Sequence, residues 1–132
     1  MKESERGFIF VVGNMSGSKT SQMFHYLNLE RNMGRKVQLF KVNWDNRYGR
    51  GYVVTHDGTR FPAASVKNTG NLVQRLDSDT EVVGIDEVQF FDERIIDFIL
   101  ETKQSRLVVA TALQMDFRGN PFPLRSLKGI GY

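Results

Sequence analysis

The sequence contains no cysteine. A disulfide framework and a thiolate zinc site are therefore both excluded for this chain of 132 residues, and we expect no zinc. The chain also lacks any apolar run approaching the roughly 20 residues that a membrane-spanning helix needs. Its first residues, MKESERG, are polar, with no apolar signal segment behind them. We therefore expect a cytoplasmic protein with no membrane partner.

A dense basic stripe is missing as well. The formal net charge is only +3, whereas nucleic-acid binders typically carry clustered Lys and Arg interleaved with aromatic residues. We therefore expect no nucleic-acid partner, although the mild positive charge suits small anionic ligands. With 40% hydrophobic residues, the chain can build one core. No repeat, low-complexity run or linker divides it, so residues 1–132 are predicted to form a single domain.

The stretch from Gly7 to Met23, GFIFVVGNMSGSKTSQM, is typical of a strand, a phosphate-binding loop and a helix. A P-loop has Gly, four residues, Gly, Lys and then Ser or Thr, because backbone N–H groups must approach a phosphate closely. Gly13 opens the loop, Lys19 is predicted to reach the outer phosphates, and Thr20 is predicted to bind Mg²⁺. The glycine expected before the lysine is Ser18. If that position requires a positive φ, Ser18 costs roughly 1 kcal/mol in strain, and an ordinary turn is the alternative interpretation.

The apolar pattern predicts an α/β fold with a mainly parallel sheet flanked by helices. Strands are expected to end at Val12, Val42, Ile85 and Ala112 and to lie side by side, with the motif loops gathered at one edge. The predicted helices are Ser21–Arg31, ended by Gly34, then Asn71–Leu76, and Glu93–Lys103, capped by Asp92.

The region Asn43–Val66 shows no helical period and is expected to form turn-rich loops. Its charged stretches DNRYG and THDG either surround a site or are simply solvated turns. For His56 on its own, a structural or surface role is the favoured interpretation.

An acidic pair, Asp86 and Glu87, follows the predicted buried strand EVVGID. Carboxylates at the carboxyl end of such a strand face the ligand crevice of open α/β sheets. Asp86 resembles the aspartate that holds Mg²⁺ through water in P-loop proteins, and Glu87 is a candidate general base. The alternative is that the pair simply ends the strand and precedes a helix.

Five motifs stand in the order that the type II, cytosolic-type thymidine kinases share: GNMSGSKT, DNRYG, THDG, IDEVQFF and DFRGNPFP. Five ordered motifs are far more specific than a P-loop alone. The chain therefore resembles this family, which implies a P-loop NTPase core of the RecA-like type. It also implies a role in DNA synthesis, ATP and Mg²⁺ as cofactors, a nucleoside substrate and a possible homo-oligomer, since the family forms tetramers.

The resemblance also implies roles for individual residues. Glu87 matches the catalytic base, which would take the proton from the 5′-hydroxyl of thymidine as that oxygen attacks the γ-phosphate. Thr20 and Asp86 match the metal-binding positions. Residues implied to bind the cofactor are Gly13, Asn14, Met15, Ser16, Gly17, Ser18, Lys19, Thr20, Asp45, Arg47 and Gln89. Residues implied to enclose the nucleoside are Met15, Phe90, Leu113, Phe117 and Phe122.

The sequence departs from the family pattern at several positions. Ser18 replaces the last P-loop glycine, and Ala112 and Gln114 stand where glycine and aspartate are usual. The family also continues past the PFP motif into a zinc-ribbon and lasso segment that grips thymidine. Two hypotheses follow: a thymidine kinase, or a non-catalytic nucleotide-binding remnant that binds ATP, binds thymidine weakly and phosphorylates it little or not at all. An ATPase acting on nucleic acid is the weakest alternative, because the basic stripe is missing.

Overall fold

A computed structural model describes residues 6–13, 18–43, 49–55 and 57–113. Within these residues there are six strands and three α-helices. The strands are β1 (Gly7–Gly13), β2 (Val37–Val42), β3 (Gly49–Val54), β4 (Arg60–Val66), β5 (Val82–Ile85) and β6 (Leu107–Leu113). The helices are α1 (Lys19–Asn32), α2 (Thr69–Arg75) and α3 (Arg94–Thr102), and a short 3₁₀ helix spans Val88–Phe90.

All six strands form one sheet in the order β1-β6-β5-β2-β4-β3. The pairs β1 with β6, β6 with β5, β5 with β2 and β2 with β4 are parallel, and only β3 is antiparallel to its neighbour. The four strands predicted from the apolar runs are therefore neighbours, and the α/β fold with a mainly parallel sheet is confirmed. Parallel strands of this kind are Val-, Ile- and Leu-rich because both of their faces are covered.

The prediction that Asn43–Val66 forms only loops is wrong, because this region contains the hairpin of β3 and β4. Its turn is closed by a hydrogen bond of 2.8 Å from the Thr55 amide to the Thr59 carbonyl. Asp57 accepts a hydrogen bond from the Thr59 amide, and Gly58 takes the positive φ of 86° that such a turn requires. The described part of THDG is thus a hairpin turn, which favours its interpretation as a solvated turn. His56 lies outside the described residues.

Helix α1 begins at Lys19, two residues before the predicted start at Ser21. Its apolar face is confirmed by Met23 and Leu27, which are both fully buried. Gly34 ends the helix as predicted: its φ is 87°, and its amide donates to the Arg31 carbonyl. The Arg35 amide donates to the Glu30 carbonyl, which completes the usual glycine-terminated helix end.

Helices α2 and α3 lie on the opposite face of the sheet from α1, and among the described helices none is long and apolar enough to span a membrane. The predicted cap of α3 by Asp92 is wrong. The carboxylate of Asp92 instead accepts hydrogen bonds from the amide and hydroxyl of Thr69, at 2.8 and 2.7 Å. Asp92 therefore joins the start of α2 to the start of α3, because the buried Thr69 offers it two donors.

The core consists of two apolar layers, one on each face of the sheet. One layer packs Met23 and Leu27 of α1 against Leu39, and the other packs α2 and α3 against strands that include the fully buried Ala112. Gly84 in β5 lets α1 approach closely. A Cβ atom at this position would lie 2.8 Å from Leu39 Cδ1 and 3.1 Å from Leu27 Cδ1.

Candidate functional site

The carboxyl ends of β1, β6 and β5 meet at one edge of the sheet, as predicted. Gly13 lies opposite Leu113, the last residue of β6, and Val11 lies opposite Thr111. On the other side of β6, β5 ends at Ile85, directly before the acidic pair. Strand β6 therefore lies between the strand that leads to the predicted phosphate loop and the strand that leads to the carboxylates. Ligands of open α/β sheets bind at this edge.

Lys19 and Glu87 form an ion pair at this edge. Lys19 is the first residue of α1, and its Nζ atom lies 2.7 Å from Glu87 Oε1. The Lys19 side chain is only 8% exposed and that of Glu87 is 25% exposed. Glu87 Oε1 makes no other hydrogen bond in the described structure. The predicted phosphate-binding lysine and the predicted base are thus direct neighbours, held in a largely desolvated place where charge interactions are strong.

The backbone of Glu87 adopts the left-handed conformation, with φ 58° and ψ 65°. Among the described residues it is the only one other than glycine with positive φ, and this conformation costs roughly 1–2 kcal/mol for a residue with a side chain. The buried Val88 and Phe91, at the start and just beyond the end of the 3₁₀ helix, fix the chain that follows in the core. The Glu87 amide donates a hydrogen bond of 2.8 Å to Thr111 Oγ1. Strain of this kind tends to concentrate at functional sites, where the surroundings maintain it.

Asp86, the residue before Glu87, is partly buried and held by Thr111. Its Oδ1 accepts a hydrogen bond of 2.9 Å from the Thr111 hydroxyl. Burial raises the pKa of the Asp86 carboxyl above its ordinary value, and the negative charge of Glu87 adds to this effect. The hydrogen bond from Thr111 and the positive charges of Lys19 and Lys41 oppose the rise. The end of β5 therefore carries two carboxylates in different environments, which is how neighbouring acids come to differ in chemistry.

The side chain of Gln89 links the 3₁₀ helix to the end of β6. Its Oε1 accepts a hydrogen bond of 3.2 Å from the Leu113 amide, while its Nε2 is buried with no acceptor in the described structure. Leu113 is buried and Phe90 is 39% exposed. A buried amide donor next to apolar side chains suits a ligand that combines a flat apolar surface with an oxygen acceptor.

Ser18 does not take a positive φ. Its φ is −95° and its ψ is 26°, so the strain anticipated for a residue other than glycine at this position does not arise. Its hydroxyl accepts a hydrogen bond of 3.3 Å from Gln22 Nε2, one turn into α1. Ser18 stands at the N-terminus of α1 and is followed by Lys19 and Thr20, where the helix dipole favours an anion.

The predicted residues fall into two groups. All of the described ones end or follow strands at this edge of the sheet, or belong to the N-cap and first turn of α1: Gly13, Ser18, Lys19, Thr20, Asp86, Glu87, Gln89, Phe90 and Leu113. The other predicted residues lie outside the described residues: Asn14, Met15, Ser16, Gly17, Asp45, Arg47, Phe117 and Phe122, together with Gln114.

A Mg²⁺ site can be judged from the donors present. In the described ranges no three residues among His, Cys, Asp and Glu are grouped to hold a metal by themselves. Mg²⁺ in phosphate-transfer sites usually binds through one or two protein oxygens, with waters and substrate phosphates completing its shell. The Thr20 hydroxyl and the Asp86 carboxylate are hard oxygen donors of this kind, so the residues present fit the ion in the presence of a nucleotide.

Sequence reasoning missed two residues at this site. Thr111 is fully buried in β6 and binds both members of the acidic pair. The presence of a hydroxyl within the apolar run RLVVATAL could have indicated that Thr111 has a polar partner in the core. Lys41 acts on the charge of Asp86, and its Nζ donates to the Tyr52 carbonyl at 2.7 Å. Nothing in the sequence pattern distinguished Lys41 from a solvated strand residue.

This chain has a mainly parallel α/β sheet, a lysine at the start of the helix after the first strand, and an acidic pair after a neighbouring strand. This combination is typical of P-loop proteins. The family model described as thymidine kinase matches residues 7–127. The chain belongs to the thymidine kinase family. Its relatives include a curated thymidine kinase of Thermococcus kodakarensis, 38% identical over 125 residues that cover 89% of this chain. The aligned part corresponds to 64% of the length of that relative.

Proposed function

We propose that this protein is a thymidine kinase that transfers the γ-phosphate of ATP to the 5′-hydroxyl of thymidine. The observation that carries the proposal is the ion pair between Lys19 and Glu87, 2.7 Å apart at the carboxyl edge of the sheet. It places a cation suited to phosphate beside a carboxylate suited to take a proton. Membership of the thymidine kinase family supports the choice of thymidine as the acceptor.

Lys19 has two possible partners in this scheme. Without a nucleotide its ammonium group pairs with Glu87. The phosphates of a bound nucleotide carry more negative charge than one carboxylate, so they compete for Lys19 and weaken its hold on Glu87. Glu87 is then free to accept the proton of the 5′-hydroxyl, while Lys19 stabilises the charge that develops on the transferred phosphoryl group.

The neighbouring residues hold the other groups of the reaction. Thr20 and Asp86 would bind Mg²⁺, which when present neutralises charge on the phosphate oxygens. Gln89 Nε2 is a buried donor without an acceptor in the described residues, and an oxygen of the bound nucleoside would supply one. Phe90 and Leu113 offer apolar surface on the same side. In this scheme Glu87 accepts the proton and Lys19 binds the phosphate. The nucleoside is bound by Gln89, Phe90 and Leu113.

The direct test is transfer of labelled γ-phosphate from ATP to thymidine by the wild type and by Glu87→Gln. General base catalysis typically contributes about 10²- to 10⁴-fold, so we expect kcat to fall by that range in Glu87→Gln. ATP binding, measured by calorimetry, should persist because the amide preserves the shape and releases Lys19 for phosphate. The exposed Glu101→Gln on α3 is the matched control and should keep the wild-type rate.

The same experiment separates the alternative hypothesis. ATP binding without transfer to thymidine by the wild type would favour a nucleotide-binding domain without turnover. Transfer that proceeds at the same kcat in Glu87→Gln would show that Glu87 is not the base.

A further inference from the structure

We propose that Thr111 is a positioning residue of this site: its hydroxyl holds Glu87 in the left-handed conformation and fixes the orientation of the Asp86 carboxylate. The inference rests on the proposed function only for its kinetic consequence. Thr111 touches both acidic residues through one oxygen atom. It acts through them, since it contacts no group that reacts.

The two acidic residues need separate orientation because they are adjacent in the chain. Asp86 still belongs to the sheet ladder, since its amide donates to the Phe40 carbonyl at 2.9 Å. At Glu87 the chain departs from extended geometry, with φ 58° and ψ 65°. That departure coincides with the contact between Glu87 and Lys19. A relaxed backbone at Glu87 would redirect the side chain and change that contact.

The Thr111 hydroxyl suits this task because it is both donor and acceptor. It accepts from the Glu87 amide at 2.8 Å and donates to Asp86 Oδ1 at 2.9 Å. The Glu87 amide is thus fixed by its acceptor, and Asp86 Oδ1 is fixed by its donor. One hydroxyl therefore sets two orientations.

The position of Thr111 makes that hydroxyl rigid. The residue is fully buried, so water does not compete for either hydrogen bond. Val11 of β1 lies directly opposite Thr111, and on the other side of β6 the pairing with β5 ends one residue earlier, at Ala110. A β-branched side chain also has few rotamers available in such a place. The site thus depends on an atom held by a buried strand near the carboxyl edge of the sheet.

Hydrogen exchange on the wild type gives a test that requires no substitution. We expect the Glu87 amide to be protected, although it lies outside the helices and strands, because its acceptor is a buried hydroxyl. Exchange at the rate of an unprotected loop amide would overturn the proposal.

Two substitutions at Thr111 separate positioning from a structural role. Thr111→Val keeps the shape and removes the hydroxyl. Displacement of reacting groups by about 1 Å can cost on the order of 100-fold, so we expect kcat to fall by about 10- to 100-fold. The KM values for ATP and thymidine should change by less than about threefold, because the binding groups remain. Thr111→Ser restores the hydroxyl and should return kcat to within about threefold of the wild type. A crystal structure of Thr111→Val should show Glu87 out of the left-handed region.

The matched control is Thr80→Val, which removes another buried hydroxyl, one that donates to Gln38 at the opposite edge of the sheet. It should lower stability without lowering kcat. An unchanged kcat in Thr111→Val, or an equal loss in Thr111→Ser, would overturn the proposal, and so would a Glu87 backbone that stays left-handed in Thr111→Val. If the wild type does not phosphorylate thymidine, the proposed function fails, while exchange and the crystal structure still decide the role of Thr111. If Thr111→Val does not fold, hydrogen exchange of the Glu87 amide in the wild type and in Thr111→Ser decides the role of Thr111.

Discussion

Two clusters of lysine and carboxylate lie at opposite edges of the same sheet. At the amino edge, Lys36 lies 2.7 Å from Asp79 and 2.9 Å from Asp77, and its side chain is 41% exposed. At the carboxyl edge, Lys19 lies 2.7 Å from Glu87 and is 8% exposed. The distances are alike, but water surrounds one cluster and is largely excluded from the other. Only the desolvated cluster coincides with a strained backbone, at Glu87, and with a buried donor, Gln89 Nε2, that has no acceptor in the described residues.

The difference shows that the unfavourable interactions, desolvated charges and backbone strain, lie at the carboxyl edge of the sheet. Exposed ion pairs are screened by water and salt, so the amino edge gains little from Lys36 and loses little without it. A buried pair is costly to form because both charges lose water. Removing only one partner is more costly still, because the other charge is left buried without compensation. An anionic ligand can bind at the carboxyl edge because its charge replaces that of Glu87 as the partner of Lys19.

The largest effect on stability is expected from breaking the buried pair. Lys19→Met keeps the length of the side chain but leaves Glu87 without its counter-charge. Since Glu87 retains 25% exposure, we expect a loss of about 3 kcal/mol in the free energy of unfolding, the lower end for buried pairs. Urea denaturation measures this loss.

The control for this prediction is the double variant Lys19→Met with Glu87→Gln, which removes both charges and should recover most of the loss. Strictly additive effects of the two single substitutions would contradict the comparison between the two edges.

Much of this arrangement could be predicted from the sequence, because it depends on local pattern. The apolar runs located β1, β2, β5 and β6, and parallel strands necessarily bring their carboxyl ends to one edge. Gly34 was correctly predicted to end α1, because it needs only a local positive φ.

The rest depends on contacts between residues distant in the chain. Strands β3 and β4 were missed because Gly51 and Pro62 interrupt short runs that become strands by pairing with each other and, for β4, with β2. The cap assigned to Asp92 failed because Thr69, 23 residues earlier, offers better donors. The left-handed backbone of Glu87 depends on Thr111, 24 residues later, so no local pattern reports it.

A smaller loss, of about 2 kcal/mol, is expected from Gly84→Ala. The added methyl group would meet the fully buried Leu27 and the almost fully buried Leu39, and overpacking of this kind typically costs about 1–3 kcal/mol. Because Leu27 belongs to α1, the strain also acts on the helix that begins with Lys19. Thermal or urea denaturation would measure the loss. Gly51→Ala is the control, since a Cβ atom there meets nothing within 4 Å, and equal losses in both variants would exclude overpacking as the cause.

A still smaller effect, visible only in acid, is expected at the junction of α2 and α3. Partial burial alone would raise the pKa of Asp92, but the hydrogen bonds from Thr69 hold it below its usual value. A lowered pKa means that the carboxylate stabilises the fold above the ordinary value of about 3.9 and loses that contribution as the pH falls below it. Asp92→Asn should therefore flatten the fall in stability as the pH drops below about 4. Thr69→Val should act in the same direction, and an unchanged acid slope in both variants would contradict the assignment.

The smallest effect is expected from Lys36→Gln, and it is the most direct check on the comparison between the two edges. Hydrogen bonds from Lys36 to Asp79 and Asp77 raise the pKa of the lysine, and the same contact with Lys36 lowers the pKa of Asp79, so the charges do interact. Their side chains are nevertheless exposed, and holding long side chains in one geometry costs entropy that offsets the attraction. We expect the urea midpoint of Lys36→Gln to match that of the wild type, at low salt as well as at about 1 M salt, where the Debye length is about 3 Å. Transfer of phosphate to thymidine should also be unchanged, because the amino edge lies at the opposite end of the strands from Lys19. A loss of stability as large as that of Lys19→Met would show that burial does not set the difference between the two clusters.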